Sequence, residues 1–186
     1  MKQIAILILL GAILWFGFSY LVGYARQPSF SLEASSPDLT IDGQSVSHVF
    51  RFTAAQVVDG DSVRVSGAGI DPFDVRLASI DAPELQQFYG LESKQYLDRL
   101  LSSQSIVAWQ TGTDQYGRRI AFLFAEQSDG QLREINAQMV RDGYAWHYSQ
   151  YSNSATLESL QYEARAARIG LWNTAQAPVP PWEFRR

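Results

Sequence analysis

Two periodicities of hydrophobic residues, alternation and helical spacing, predict short strands and helices along most of the chain. Five runs have the alternating or apolar character of strands: 52–58, 62–66, 73–80, 105–110 and 119–125. Three stretches place apolar residues at helical spacing: 90–102, 133–142 and 155–168. Five strands interleaved with three helices predict an α+β fold, in which the helices pack on a five-stranded, OB-like Greek-key β-barrel.

The beginning of the chain has a different pattern, because it is apolar without interruption. Residues 4–25 read IAILILLGAILWFGFSYLVGYA, 22 residues without a charge, which is enough to span a bilayer as a helix at about 1.5 Å per residue. A signal peptide cleaved after Gly23-Tyr24-Ala25 is the alternative. The length of the stretch and its late aromatic residues favour an uncleaved membrane anchor. We expect the folded domain on the extracytoplasmic side, or secreted if the segment is cleaved.

A polar stretch separates this segment from the first strand. Residues 27–46 are rich in Ser, Pro and acids and have no sustained period, which is typical of a tether. The predicted division is therefore a transmembrane anchor or signal segment at 1–26, a flexible tether at 27–49 and one folded domain at 50–186, which is similar in extent to the region that contains the predicted strands and helices.

Composition excludes several classes of site. The chain has no cysteine, so it has no disulfide framework, no thiolate metal site and no cysteine nucleophile. Its formal net charge is -4, so the chain lacks the broad positive potential that is common in proteins that bind specific nucleic-acid sequences. An enzyme that releases its product is compatible with that charge.

Charged side chains concentrate in three short segments of the predicted domain. These are Asp59-Gly60-Asp61-Ser62, the stretch from Arg76 to Glu84, and the stretch from Asp114 to Arg118. Each segment alone has an ordinary explanation as a turn, a loop or a strand entry.

Taken together and in order, the motifs of this chain resemble those of the staphylococcal nuclease (thermonuclease) family. They are VVDGDSVRV, FDVRLASIDAPE, YGLES, DQYGRRIAFLF, NAQMVRDGYAW and the closing GLW, and they extend from about Phe52 to Trp172. The resemblance implies an endonuclease that requires Ca²⁺, hydrolyses phosphodiester bonds of DNA and RNA, and leaves 3′-phosphate ends. One departure concerns the loop between Glu84 and Tyr89, which is short here and long in the staphylococcal enzyme.

The resemblance also implies a metal site. Asp61 and Asp81 are similar to the side-chain calcium ligands of the family, and Ala82 stands where a main-chain carbonyl completes the site. Asp59 matches an acidic position close to the metal. These four residues belong to two of the three charged segments.

The remaining roles implied by the resemblance concern phosphate and water. Arg76 and Arg118 resemble the two phosphate-binding arginines of the family, and Glu84 resembles the carboxylate that positions or deprotonates the attacking water. Tyr116 stands where the family places an aromatic hydroxyl near the substrate phosphate, and Tyr148 is a weaker candidate for such a role.

The chemistry of these residues supports a cation site without the resemblance. Carboxylates that gather around a phosphate repel it, by about 4 kcal/mol per pair of unit charges at 4 Å and an effective dielectric constant near 20. A divalent cation removes this conflict. Oxygen ligands, with no cysteine and two histidines in the chain, suit a hard ion such as Ca²⁺ rather than Zn²⁺.

The arginines suit the transition state of phosphodiester hydrolysis, because a guanidinium meets phosphoryl oxygens with two hydrogen bonds and keeps its proton. Val75 and Leu77 share the core face of their strand, so Arg76 projects from the opposite face toward a groove. Alternation leaves open whether Arg118 or its neighbour Arg119 is the active arginine, and the motif favours Arg118. The group that protonates the leaving oxygen is also open.

The leading hypothesis is therefore a monomeric, membrane-anchored nuclease with little sequence specificity, because contacts to phosphate carry no sequence information. Two alternatives stay open. One is a non-catalytic module on the same barrel that binds nucleic acid or protein. The other is a tethered structural protein whose carboxylates bind a stabilising cation. We expect His147 to be a surface or packing residue, and the closing pair Arg185-Arg186 to be solvated.

Overall fold

The computed structural model describes residues 47–53, 55–67, 70–102, 105–175 and 177–186, together with the short pieces Thr40–Ile41 and Gln44–Ser45. The predicted anchor at 1–26 lies outside the described residues. Within the described ranges, no helix is both long and apolar enough to cross a membrane. Strands at Thr40–Ile41 and Gln44–Ser45 fall in the range predicted as a tether, and the first strand of the main sheet begins at Val49, one residue before the predicted domain boundary.

The described residues form eleven short strands, four α-helices and one 3₁₀ helix. The strands are β1 (Thr40–Ile41), β2 (Gln44–Ser45), β3 (Val49–Phe52), β4 (Ala55–Val57), β5 (Ser62–Gly67), β6 (Ile70–Leu77), β7 (Ile80–Asp81), β8 (Ile106–Thr113), β9 (Arg119–Glu126), β10 (Leu132–Glu134) and β11 (Trp146–His147). The α-helices are α1 (Gly90–Leu101), α2 (Ile135–Arg141), α3 (Ala155–Ala166) and α4 (Pro181–Phe184), and the 3₁₀ helix is Gly170–Trp172.

The main sheet runs in the order β3-β8-β9-β6-β5-β4, and β10 pairs with β9 beside this path. The pairing of β6 with β9 is parallel, and the other pairings in this sheet are antiparallel. Two smaller sheets join β1 to β2 and β7 to β11. The OB-like α+β fold is confirmed, with a mixed sheet and several helices.

The predicted number of five strands was wrong: β1, β2, β10 and β11 lie outside the predicted runs, and two predicted strands are each divided. The run 52–58 contains the end of β3, which pairs with β8, and all of β4, which pairs with β5. The run 73–80 ends as β6 at Leu77, turns at Ala78-Ser79, and resumes as β7 against β11. Changes of hydrogen-bonding partner of this kind leave the local alternation unchanged, so the sequence pattern does not reveal them.

The core lies between the curved sheet and the helices. Alternate residues of β5 and β6, such as Val63, Val65, Val75 and Leu77, have at most 1% of their surface exposed, and each apolar side chain buried in this way contributes about 1.5–3 kcal/mol. Helix α1 packs against β4 and α2. Because one face of β6 is committed to the core, its other face is available to carry polar side chains.

Two glycines allow the loops around the charged residues to approach helix α1 closely. A Cβ atom at Gly60 would overlap Oγ of Ser93 on α1, and a Cβ atom at Gly90 would overlap the main-chain carbonyl oxygen of Glu84. The Asp59–Asp61 turn therefore rests directly on α1, and the first residue of α1 lies directly against Glu84.

A buried asparagine joins α2 to the sheet. Oδ1 of Asn136 accepts a hydrogen bond from the Leu123 amide at 3.0 Å, and Nδ2 donates to the carbonyl oxygens of Ala78 at 2.9 Å and Ala121 at 3.3 Å. Because a buried main-chain group without a partner costs about 1–3 kcal/mol, Asn136 stabilises the turn between β6 and β7. That turn leads from Arg76 to Asp81.

Candidate active site

Asp61 connects the beginning of β5 to the end of β7. Its amide donates to Oδ1 of Asp59 at 3.1 Å, which closes the turn before β5. Its own carboxylate accepts hydrogen bonds from Oγ of Ser62 at 3.2 Å and from the amide of Ala82 at 2.6 Å. Two predicted metal-site segments, 59–61 and 81–82, are therefore in direct contact.

Arg76 lies between two buried carboxylates. Nη1 is 3.1 Å from Oδ1 of Asp61, and Nη2 donates to Oδ1 of Asp81 at 2.8 Å. Nη1 also donates to the carbonyl oxygens of Leu77 and Ile80, each at 3.1 Å. With 14% of its side chain exposed, Arg76 projects from the polar face of β6 and is held on both sides.

Asp81 is bound by a second arginine, which comes from beyond α4. Nη2 of Arg185 donates to Oδ2 of Asp81 at 2.8 Å, and Nη1 donates to Oδ1 at 3.2 Å. The same Nη1 donates to Oε1 of Glu84 at 2.7 Å. The result is a series of alternating charges, Asp61–Arg76–Asp81–Arg185–Glu84, which we call the ion-pair chain.

Burial dominates the electrostatics of the two aspartates. Burial raises the pKa of Asp61 to about 7, and the charges of Asp59 and Asp81 add to this effect while Arg76 opposes it. Burial also raises the pKa of Asp81, although Arg185 and Arg76 favour its ionised form. The arginines therefore do not fully offset the loss of hydration, and an additional positive charge would stabilise both carboxylates.

Glu84 sits in a tight turn before α1. Its amide donates to Oε1 of Gln87 at 2.9 Å, and the Gln87 amide donates back to the Glu84 carbonyl oxygen at 2.8 Å. The Glu84 side chain is 32% exposed. The short loop therefore holds the main chain of Glu84 firmly while its carboxylate stays accessible to solvent.

Arg118 belongs to a separate turn between β8 and β9. Nε of Arg118 donates to Oδ2 of Asp114 at 2.7 Å, and Oδ1 of Asp114 accepts from the amides of Tyr116 at 2.9 Å and Arg118 at 3.0 Å. Against the effect of partial burial, these hydrogen bonds from Arg118 and Tyr116 lower the pKa of Asp114. The Tyr116 ring is 76% exposed, and the Arg118 guanidinium carbon lies 5.7 Å from its centroid.

This turn and the ion-pair chain are neighbours that do not bond to each other. In the described part of the chain, the hydrogen bonds and ion pairs do not connect Arg118 with the ion-pair chain. The parallel pairing of β6 with β9 sets Arg76 opposite Ile120, two residues after Arg118. Arg118 therefore directly precedes β9, the strand that pairs with β6, on which Arg76 lies.

Arg119 points elsewhere. Its guanidinium carbon lies 3.8 Å from the ring centroid of Phe73 and 5.3 Å from that of Phe50, a cation–π arrangement. This contact places the Arg119 guanidinium on apolar rings, whereas the Arg118 guanidinium is paired with Asp114.

Tyr148 lies under a segment whose structure the sequence did not predict. Its ring stacks on Trp182 with centroids 5.3 Å apart and planes at 8°, and it contacts Tyr151 at 4.8 Å. We call residues 177–186, which include Trp182 and Arg185, the strap. In this arrangement one face of Tyr148 is covered by the strap rather than presented to a substrate.

Arg185 and Arg186 are exposed, as expected, but Arg185 has a role that the sequence did not predict. Its side chain is 41% exposed and makes ion pairs with Asp81 and Glu84. Pro181 begins α4, and proline at the first helical position favours a helix start. That proline, followed by Trp182, is the sequence signal that could have indicated an ordered segment.

The residues present fit a hard cation in their chemistry, although not as a cage of three carboxylates. Among the described residues, no group of three or more His, Asp or Glu side chains is placed to hold a metal ion. The predicted set has two carboxylates and the carbonyl of Ala82, so it falls below that number. Carboxylate and carbonyl oxygens are the ligand type that hard cations take, and burial raises the pKa of both carboxylates. His147 is buried and Nε2 has no hydrogen-bond partner among the described residues, which agrees with a packing role.

Comparison with known proteins identifies the family. Residues 74–174 match the model of the staphylococcal nuclease homologue family. The chain is 38% identical over 130 residues to an uncharacterized endonuclease of Escherichia coli O157:H7, which covers 70% of this chain and 81% of that protein. It is 37% identical over 143 residues to a micrococcal nuclease of Shigella flexneri, which covers 74% of this chain and 81% of that protein. An uncharacterized endonuclease of Haemophilus influenzae is 36% identical over 131 residues, 70% of each chain.

The match includes the second and third charged segments, with Arg76, Asp81, Glu84 and Arg118, and it confirms the resemblance seen in the motifs. The strap residue Arg185 lies beyond the matched range. With the family model matching more than half of the chain, this protein belongs to the staphylococcal nuclease family.

Proposed function

We propose that this protein is a Ca²⁺-dependent endonuclease that hydrolyses phosphodiester bonds of DNA and RNA and leaves 3′-phosphate ends. The observation that carries the proposal is the pair of buried carboxylates, Asp61 and Asp81, which share one guanidinium on β6. Membership of the family and the nuclease names of its relatives support phosphodiester hydrolysis as the reaction.

Asp61, Asp81 and the carbonyl of Ala82 are the proposed ligands of the cation, with Asp59 as a supporting charge. When bound there, a divalent ion supplies charge neutralisation of the phosphate and polarisation of a water molecule. The contact between Asp61 and the Ala82 amide keeps the two ligand segments together. Ligands held in place in this way reduce the entropy that is lost when an ion binds.

Arg76 and Arg118 are the proposed clamps on the phosphoryl oxygens. Each guanidinium keeps its charge at any working pH, so it stabilises negative charge and does not donate a proton. Arg76 is fixed by its carboxylate and carbonyl partners, whereas Arg118 has one carboxylate partner within its own turn.

Glu84 is the proposed group that orients or deprotonates the attacking water. Its side chain is 32% exposed, which leaves it accessible to water, and its main chain is held by the turn with Gln87. Tyr116, exposed beside Arg118, is the proposed hydroxyl near the substrate phosphate. Tyr148 would take part in substrate binding through its edge, because Trp182 covers one of its faces.

The proposed site reads phosphate rather than base edges, so we propose action on single and double strands with little sequence preference. The protein is proposed to act as a monomer. We also propose that residues 1–26 anchor it in a membrane with the domain on the extracytoplasmic side; secretion after cleavage is the alternative, and mass measurement of the mature amino terminus decides between the two.

The test of the proposed reaction is an endonuclease assay of the purified full chain, with detergent present. Circular single-stranded and double-stranded substrates are incubated with Ca²⁺ or with a chelator, and the ends are analysed for 3′-phosphate. We expect cleavage with Ca²⁺, none with chelator, and a loss of about a hundredfold or more for Glu84→Gln. Glu92→Gln, an exposed change in the first turn of α1, is the matched control and should retain activity. The proposal would be refuted if no cleavage is seen, or if neither the chelator nor Glu84→Gln changes the rate of cleavage.

The non-catalytic binding module makes a different prediction in the same experiment. It would bind nucleic acid or a protein, cleave nothing, and respond to Arg76→Gln but not to Glu84→Gln. A structural protein with a stabilising cation would show Ca²⁺-dependent thermal stability in the absence of any cleavage.

A further inference from the structure

We propose that Arg185 is an internal competitor of the divalent cation, so that the strap lowers the affinity of the site for Ca²⁺. This inference rests on the proposed function, because it concerns the same pair of aspartates. It adds a residue that lies beyond the matched family range.

The hydrogen bonds of Asp81 show why the ion and Arg185 exclude each other. Oδ1 of Asp81 accepts from both Arg76 and Arg185, and Oδ2 accepts from Arg185 at 2.8 Å. A carboxylate oxygen that binds Ca²⁺ directs a lone pair at the ion. With both oxygens engaged by guanidinium groups, Asp81 has little capacity left for an ion.

Access to Asp81 leads to the same conclusion. None of the Asp81 side-chain surface is exposed to solvent, whereas 41% of the Arg185 side chain is. A cation that arrives from solvent therefore reaches Asp81 only after a covering group has moved. Arg185 is the most exposed member of the ion-pair chain in contact with Asp81, since Arg76 is 14% exposed, so it is the group that moves with least disturbance.

Charge favours exchange over joint occupancy. A guanidinium and a divalent ion repel each other, and the repulsion is strong where burial lowers the effective dielectric constant. Departure of Arg185 removes one positive charge from the site, and the ion supplies two. Glu84 is released by the same movement, because its partner in the ion-pair chain is Arg185.

The strap keeps the competitor near the site. Trp182 stacks on Tyr148 and packs against the cluster that contains Trp146 and Trp172. Nε2 of Gln87 donates to the carbonyl oxygen of Val179 at 3.0 Å. These contacts hold the main chain, and the flexible side chain of Arg185 leaves or returns without unfolding α4. A tethered competitor acts at a high effective concentration, so the apparent affinity of the ion is reduced by the fraction of molecules in which Arg185 is bound.

The experiment measures Ca²⁺ binding directly, by isothermal titration calorimetry of the full chain in detergent with chelator removed. We expect Arg185→Gln to bind Ca²⁺ about fivefold more tightly than the wild type, since the ion pair of a partly exposed arginine contributes up to about that factor. Arg185→Lys, which keeps the charge and loses the two-point contact, should lie between the two. Arg186→Gln removes the same charge from the next, exposed position and should bind within about twofold of the wild type.

A second variant tests the strap without changing Arg185. Trp182→Ala removes the stacking on Tyr148 and lowers the effective concentration of the guanidinium, so it should also tighten Ca²⁺ binding, by a smaller factor. Thermal melts in chelator confirm that each variant is folded.

The contrary outcomes separate this proposal from the proposed function. Unchanged or weaker Ca²⁺ binding by Arg185→Gln overturns the competition, while chelator-sensitive cleavage by the wild type would still support the nuclease. A lack of Ca²⁺ binding by every variant overturns the competition and the Ca²⁺ dependence together.

Discussion

Two regions of the molecule each present an arginine to the proposed phosphate site, and they hold it in opposite ways. Arg76 has 14% of its side chain exposed and lies between two buried carboxylates, with two main-chain carbonyls as further acceptors. Arg118 has 33% exposed, and its partner Asp114 lies four residues away in the same turn. Arg76 is therefore embedded in the folded core of the site, whereas Arg118 belongs to a surface turn.

The comparison shows that two arginines with the same proposed chemical role can contribute very differently to the stability of the fold. Removal of a buried arginine leaves buried carboxylates without a counter-charge, which is strongly destabilising. Removal of a partly exposed arginine from a surface turn breaks an ion pair that contributes about 1 kcal/mol or less. Mutation of Arg76 should therefore lower both activity and stability, whereas mutation of Arg118 should lower activity and leave stability nearly unchanged.

The largest effect is expected for Arg76→Gln. Cleavage should fall by about a thousandfold, and the free energy of unfolding without metal should fall by roughly 3 kcal/mol, since Asp61 loses its arginine. Nuclease kinetics and urea unfolding measure the two quantities. Arg64→Gln on β5, which breaks an exposed pair with Asp74, is the matched control and should change neither by much. An Arg76→Gln variant that is inactive but as stable as the wild type would contradict the expected contribution of Arg76 to stability.

The next effect is expected for Arg118→Gln, which should reduce cleavage by about a hundredfold and change the free energy of unfolding by less than about 1 kcal/mol. Arg119→Gln is the neighbouring control: it loses its contact with Phe73 and should keep most of the activity. Parallel rate and unfolding measurements on both variants decide the assignment. If Arg119→Gln is the inactive variant, the motif-based choice of Arg118 is incorrect.

The third prediction concerns the pH dependence of stability, where the two regions should differ in sign. The folded-state pKa of Asp61 is raised from 3.8 to about 7, so its contribution to stability is fully present below about pH 4 and is lost as pH rises to about 7. The pKa of Asp114 is lowered, so its contribution is present above its ordinary pKa and is lost as pH falls below it.

Urea unfolding in chelator across pH 3–8 measures both effects. Asp61→Asn should abolish a loss of about 2–4 kcal/mol between pH 4 and pH 7, and Asp114→Asn should remove stability at neutral pH. Asp74→Asn, on the exposed side of β6, is the control for a general effect of charge. A wild-type curve that is flat between pH 4 and pH 7 would contradict the burial of an ionisable Asp61.

Local pattern predicted much of this structure. The predicted helices at 90–102 and 155–168 correspond to Gly90–Leu101 and Ala155–Ala166, because their apolar faces and stop signals are contained in one stretch. Alternation placed Arg76 opposite the core face, and Val75 and Leu77 are buried in the core. These features depend on residues that are close in sequence.

What the sequence did not predict depends on distant contacts. β10 occupies Leu132–Glu134, where a helix was expected from about residue 133, because this segment pairs with β9 across a turn. The bond between Arg185 and Asp81 joins residues that are 104 positions apart in the chain, and no local period marks it. The motifs indicated Asp61, Asp81 and Glu84 as site residues, but they did not indicate that Arg185 contacts Asp81 and Glu84.

The parallel pairing of β6 with β9 has a consequence for the order in which the protein acquires its parts. Asp61 directly precedes β5, and Arg76 and Asp81 lie on β6 and β7; these three strands follow one another closely in the chain. The Arg118 turn joins them only when β9 pairs with β6 across the intervening α1 and β8, and such long-range closure is slow. We therefore expect the contacts among Asp61, Arg76 and Asp81 to form before the Arg118 turn joins them, and catalytic competence in a refolding experiment to appear only once β9 has paired with β6.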